Sequence, residues 1–103
     1  MSILNQNPLP FFINGQYVSP TGRQTFENIN PVNGTLNFDV LESNADDVDH
    51  AVNSARSALA GPWAGIDVDK RARLLHKVAD LIDSRRDEFL AAEISDTGKP
   101  VQL

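Results

Sequence analysis

Around Ser43 the apolar residues of this chain change their period. Before that point Leu36, Phe38 and Val40 alternate, the spacing of a strand with one buried face; beyond it Val48, Ala51, Val52, Ala55 and Leu59 recur at helical spacing. A chain built this way folds as hairpins first and helices second. The turn residues agree. Asn14-Gly15, flanked by Phe11-Phe12-Ile13 and Gln16-Tyr17-Val18, supplies the two positive φ angles that a type I′ hairpin requires.

Ser19-Pro20-Thr21-Gly22 reads as a second turn, after which Thr25 to Ile29 is rich in β-branched and aromatic residues until Pro31 ends ladder pairing. Asn33-Gly34 then leads into Thr35 to Leu41. This predicts four short strands in an antiparallel or meander arrangement. Residues 1 to 10 are expected to form a mobile lead-in, because Asn7-Pro8-Leu9-Pro10 offers few backbone donors and little to bury.

In the helical half, Ser43-Asn44-Ala45-Asp46 resembles a capping box, and Asp46, Asp47 and Asp49 place negative charge where the helix dipole is positive. Gly61-Pro62 ends that helix, and Trp63 is expected to plug the joint to the next. Asp67 is a suitable N-cap for a second helix through about Asp83, and Ser84 or Arg85 opens a third that carries Phe89, Leu90 and Ile94. Asp96-Thr97-Gly98-Lys99-Pro100 closes it: Gly98 suits a left-handed C′ position, Lys99 faces the negative helix end, and Pro100 forbids continuation.

Nine basic against fourteen acidic residues give a net charge of −5, which argues against nucleic acid and anionic membranes as partners. Lys70, Arg71, Arg73, Lys77, Arg85 and Arg86 do cluster, but Leu74, Leu75, Val78, Leu81 and Ile82 run through the same segment, so the bases read as the wet face of an amphipathic helix. The opening residues show no basic and apolar leader pattern, and no run reaches bilayer-spanning length. The expected location is cytoplasmic.

Within these residues the chemistry is sparse. No cysteine is present, which excludes a disulfide, a thiol nucleophile and the usual zinc cluster. His50 and His76 are each isolated from other ligands, no serine lies in a nucleophile-elbow setting, and the six glycines form neither a dinucleotide fingerprint nor a phosphate loop. These residues alone encode no complete catalytic or nucleotide site.

Four phrases, in this order and spacing, narrow the reading: Phe12-Ile13-Asn14-Gly15, then Ile29-Asn30-Pro31 with Asn33-Gly34, then Asp47-Val48-Asp49 with Ala51-Val52, then Asp96-Thr97-Gly98-Lys99-Pro100. From about Phe11 to Val101 the chain resembles the N-terminal region of the aldehyde dehydrogenase superfamily. Leu59 to Trp63, Asp87 to Leu90 and Ala92-Glu93 look most like the hydroxymuconic and aminomuconic semialdehyde dehydrogenases of aromatic-ring degradation, and betaine aldehyde dehydrogenase is similar as well.

The resemblance implies an α/β parent subunit, in which residues 11 to 103 are the N-terminal part of the NAD-binding domain and about three helices pack on the rest of that domain. It implies NAD(P)-dependent oxidation of an aldehyde, here a muconic semialdehyde, to the acid, by a subunit that forms a homo-oligomer. The family's cysteine, glutamate, oxyanion-stabilising asparagine and cofactor lysine all match positions beyond Leu103, so none is assigned here, and the segment alone is expected to be inactive. One family site does map onto this chain: a structural monovalent cation at Asn28, Ile29 and Asp96. Oxygen ligands from a strand stopped by Pro31, a helix C-terminus and the Asp96 carboxylate suit a hard ion. A helix-end hydrogen bond by Asp96 with no ion is the alternative, and a stand-alone interaction module is the alternative to the enzyme fragment.

Overall fold

A computed structural model describes residues 5 to 102. Four strands come first: β1 (Phe11–Ile13), β2 (Gln16–Val18), β3 (Thr25–Ile29) and β4 (Leu36–Leu41). Three helices follow, α1 (Ala45–Ala60), α2 (Val68–Ser84) and α3 (Arg86–Thr97), with a 3-10 turn at Pro62–Gly65 between the first two.

The strands form two separate antiparallel pairs rather than one continuous meander. In the first, Asn14 at φ 54° and Gly15 at φ 73° make the tight turn, and the register is Phe11 with Val18, Phe12 with Tyr17 and Ile13 with Gln16. The Phe12 and Tyr17 rings lie 5.0 Å apart between centroids, a cross-strand aromatic contact of the kind that supports a short ribbon. In the second pair Thr25 faces Leu41 and Asn28 faces Phe38, after which the register shifts between Asn28 and Ile29.

The other edge of β4 is occupied. Leu9 bridges Val40 in parallel, its N–H donating to the Asp39 carbonyl at 2.7 Å and its carbonyl accepting from the Leu41 N–H at 3.3 Å, while Asn7 Oδ1 accepts the Asp39 N–H at 3.0 Å. Residues 7 to 9 of the expected mobile lead-in are therefore pinned along a strand. Pro8 costs no bond here, because the bonds are made by the accepting Asn7 Oδ1 on one side of it and by the Leu9 N–H and carbonyl on the other. Residues 1 to 4 of that lead-in lie outside the described residues.

The capping box at α1 sits one residue later than expected. Asn44, not Ser43, is the N-cap: Asn44 Oδ1 accepts the Asp47 N–H and Asp47 Oδ2 accepts the Asn44 N–H, both at 3.0 Å. Asp67 caps α2 as expected, accepting the Lys70 N–H at 2.7 Å, and α3 begins at Arg86 with Arg85 before it. Gly98, at φ 74°, ends α3 by donating to the Ile94 carbonyl at 2.9 Å. Lys99 departs from expectation, since its Nζ reaches back to Glu93 Oε1 at 3.0 Å and forms an ion pair instead of facing the helix end.

At the joint between α1 and α2, Trp63 remains 40% exposed and is covered on one face by Arg71, whose guanidinium carbon lies 4.9 Å from the ring centre. Arg71 Nη2 also donates to the Trp63 carbonyl at 2.9 Å, which fixes the turn to the first part of α2. The indole is a part-exposed ring held under Arg71 rather than a buried plug. Among the described residues Leu41 is the one buried apolar side chain, and the helices present most of their apolar faces outward.

Candidate functional site

Two of the sequence phrases meet where β3 passes the end of α3. Asn28 Nδ2 donates to Asp96 Oδ1 at 2.5 Å, across a separation of 68 residues. Asn37, on β4, completes the corner by donating through Nδ2 to Asn28 Oδ1 at 2.8 Å and to the Ser95 carbonyl at 2.9 Å. The corner thus locks both strands of the second pair to the last turn of α3.

The turn after β3 closes against the same place. Asn30 organises it: its Oδ1 accepts the Val32 N–H at 2.9 Å, its carbonyl accepts the Gly34 N–H at 2.8 Å, and its own N–H donates to the Thr35 carbonyl at 2.9 Å. Pro31 then lies so close to Gly98 that a Cβ there would sit 3.1 Å from Pro31 Cγ and 3.4 Å from Val32 Cγ2. Glycine is required twice over at Gly98, by its backbone angle and by this approach.

Of the three residues expected to hold a cation, the structure brings Asn28 and Asp96 into direct contact, and Ile29 follows at the register shift of β3. The chemistry is oxygen-rich, as a hard ion demands. Several of those oxygens already have protein donors: Asn37 on the Ser95 carbonyl, Gly98 N–H on Ile94, Thr97 Oγ1 on Glu93 and Ser95 Oγ on Ala92. The place beside Asp96 Oδ1 is held by the Asn28 amide. No group of three or more His, Asp or Glu side chains is gathered among the described residues.

Next to the corner, an open cleft of about 480 Å³ runs between the β3–β4 pair and α3, with Leu9, Phe26, Phe38, Val40 and Phe89 as its apolar walls. Glu93, Ser95 and Asp96 add polar groups to its lining, but each is engaged elsewhere, Glu93 with Lys99, the Ser95 hydroxyl with the Ala92 carbonyl and Asp96 with Asn28, so the chemistry of the cleft is that of packing. A second long-range tie lies at the other end of the β3–β4 pair, where Arg23 meets Asp47 in a two-pronged bond, Nε to Oδ2 at 2.6 Å and Nη2 to Oδ1 at 2.9 Å. The Arg23 bond, helped by the Asn44 N–H, holds the Asp47 carboxyl down at about 2 against an opposing effect of burial. Asn37 and Arg23 were not singled out from the sequence. Asn37 falls on the off-face of the period-two strand, which is a weak signal, and Arg23 follows the Thr21-Gly22 turn with its partner 24 residues away, which leaves none.

Residues 17–103 match the Aldehyde dehydrogenase family. The chain belongs to that family. Among curated relatives, 2-hydroxymuconic semialdehyde dehydrogenase of Pseudomonas sp. (strain CF600) is 51% identical over 92 residues, covering 89% of this chain and 19% of that protein. The mitochondrial aldehyde dehydrogenase of Homo sapiens is 41% identical over 102 residues, covering 93% of this chain and 20% of that protein. Among solved structures, the NAD+ complex of aldehyde dehydrogenase from Bacillus cereus superimposes with a TM-score of 0.88 at 44% identity, over 97% of this chain and 20% of that one.

This member of the aldehyde dehydrogenase family therefore spans about a fifth of the length of the curated relatives it matches. Its hairpins followed by three helices are the arrangement expected of an N-terminal segment of that fold. The Asn28–Asp96 corner, with Pro31 against Gly98, is where two of the phrases that carried the resemblance are joined in space.

Proposed function

We propose that this chain is the N-terminal portion of an NAD(P)-dependent aldehyde dehydrogenase that oxidises a muconic semialdehyde to its carboxylic acid in the breakdown of aromatic compounds. The observation that carries the proposal is the 51% identity over 92 residues to a 2-hydroxymuconic semialdehyde dehydrogenase. In the overall reaction the aldehyde and water give the acid, with a hydride passing to the nicotinamide and a proton released. The residues of this chain contribute framework: β3, β4 and α3 are tied at the Asn28–Asp96 corner, and α1 is tied to the strands through Arg23 and Asp47. Within the parent subunit, a cytoplasmic homo-oligomer on this reading, residues 11 to 103 form the first part of the NAD-binding domain.

The identities of 41% to the human mitochondrial aldehyde dehydrogenase and 44% to the Bacillus cereus aldehyde dehydrogenase support a second reading, a dehydrogenase for another aldehyde, betaine aldehyde being the one that the sequence resemblance names. Turnover separates the two. The parent protein should reduce NAD+ fastest, in terms of kcat/KM, with 2-hydroxymuconic semialdehyde, and the 103-residue chain alone should reduce none. A higher kcat/KM for betaine aldehyde or acetaldehyde would establish the second reading, and no turnover with any aldehyde would dismiss both.

The monovalent cation at Asn28, Ile29 and Asp96 belongs to the same proposal. The Asp96 carboxylate and the register shift between Asn28 and Ile29 support it, and the ion would replace the direct Asn28–Asp96 bond. Crystals of the parent protein grown in a rubidium salt should show an anomalous peak against Asp96; a retained Asn28–Asp96 bond without a peak would rule the ion out.

A further inference from the structure

Two Asn-Gly pairs stand at exposed turns of this chain, Asn14-Gly15 and Asn33-Gly34. Such a pair can rearrange without a catalyst. The backbone nitrogen of the glycine attacks the side-chain carbonyl carbon of the asparagine, a new carbon–nitrogen bond closes a five-membered succinimide, and the side-chain nitrogen leaves as ammonia. Water then opens the ring at either carbonyl to give aspartate or isoaspartate, with no change in oxidation state. Glycine is favourable at the second position because no Cβ obstructs the approach.

The two pairs share a sequence but not a hydrogen-bonding state. At Asn33-Gly34 the attacking nitrogen is engaged, since the Gly34 N–H donates to the Asn30 carbonyl at 2.8 Å. The side chain is engaged as well: Asn33 Oδ1 accepts the Thr35 N–H at 3.0 Å and the Thr35 hydroxyl at 2.7 Å. Those two donors polarise the carbonyl and by themselves would favour attack. The nucleophile decides the outcome, because ring closure cannot begin until Gly34 gives up its bond and the Asn33 side chain swings free.

At Asn14-Gly15 the described residues provide no partner for the Gly15 N–H or for the Asn14 side chain. Nothing lies within 4 Å of the Cβ position at Gly15, and the same holds at Gly34, so open space does not distinguish the two. Bonding does. We propose that Asn14 is a site of spontaneous deamidation and that Asn33 is protected by its own turn.

The two products have different consequences for the hairpin. Aspartate keeps it, because Asp-Gly also suits a type I′ turn. Isoaspartate inserts an extra backbone carbon between Ile13 and Gln16, and a two-residue loop cannot absorb that while holding the register of Phe12 on Tyr17. With three residues in each strand, the ribbon has little else to hold it.

The test is incubation of the full-length protein that contains this chain in heavy-oxygen water at mildly alkaline pH, with peptide mass mapping of label at Asn14 and Asn33, in native buffer and in concentrated urea. Label should enter Asn14 about fivefold faster than Asn33 in native buffer, the rate equivalent of one retained backbone hydrogen bond, and the two rates should converge in urea. Equal rates in native buffer, or faster conversion of Asn33, would overturn the proposal. A fivefold difference that persisted in urea would overturn it too, by tracing the difference to local sequence instead of the turn.

Discussion

Asp47 accepts three hydrogen bonds on one carboxylate, two from Arg23 and one from the Asn44 N–H, while its side chain keeps 9% of its exposure. The Arg23 bond, more than the helix end, lowers its pKa from the ordinary 3.8 to about 2. Because the folded value lies below the unfolded one, the stabilisation is fully present above pH 3.8 and is lost as the pH falls through about 2. We predict that Asp47→Asn lowers the midpoint of urea unfolding by a constant amount at neutral pH and that the gap to the native sequence narrows steadily below pH 4. A gap that stays constant down to pH 2 would show that the charge is not what matters. The sequence made Asp47 legible as a helix-start acid but not as half of an ion pair, because a cap is a local device and Arg23 is reached only after the chain has folded back. The one-residue error in the cap has a similar origin: Ser43, Asn44, Asp46 and Asp47 are all competent, and only the backbone angles choose among them.

At the scale of elements, the end of α3 was the most legible boundary, because a left-handed glycine followed by Lys-Pro permits little else. What it packs against was less so. Gly98 and Gly34 have nearly equal φ angles, 74° and 73°, yet a Cβ at Gly98 would meet Pro31 and Val32 whereas one at Gly34 meets nothing within 4 Å. Gly34→Ala should therefore cost only the left-handed backbone penalty, about 1–2 kcal/mol. Gly98→Ala should cost that plus overpacking of about 1–3 kcal/mol. Paired thermal unfolding measures the difference, and equal losses would mean that Pro31 yields freely. The Asn28, Asn37 and Asp96 corner lay beyond sequence reasoning in part: Asn28 and Asp96 came from a family resemblance, and nothing in the alternation of β4 says that Asn37 bonds to two elements at once.

The whole molecule is more extended than its length requires. Its radius of gyration is 16.9 Å, against about 13 Å for a compact domain of about 100 residues. In the same molecule α2 carries an apolar stripe that the described residues leave uncovered: Leu75 is 71% exposed, Leu81 54% and Val78 52%. The amphipathic period that made the helix readable did not say what covers it. The remaining four-fifths of a dehydrogenase subunit would supply that cover on the proposed reading, with each leucine so buried contributing about 1.5–3 kcal/mol. Leu75→Glu tests this in two settings. In the isolated 103-residue chain it should leave helix content unchanged and reduce binding of a hydrophobic dye, since the side chain already faces water. In the parent protein the same substitution should bury an unpaired carboxylate and lower the thermal midpoint sharply or abolish soluble expression. A parent protein that tolerated Leu75→Glu with an unchanged midpoint would show that this face of α2 stays in solvent, and the framework role proposed for these helices would then be lost.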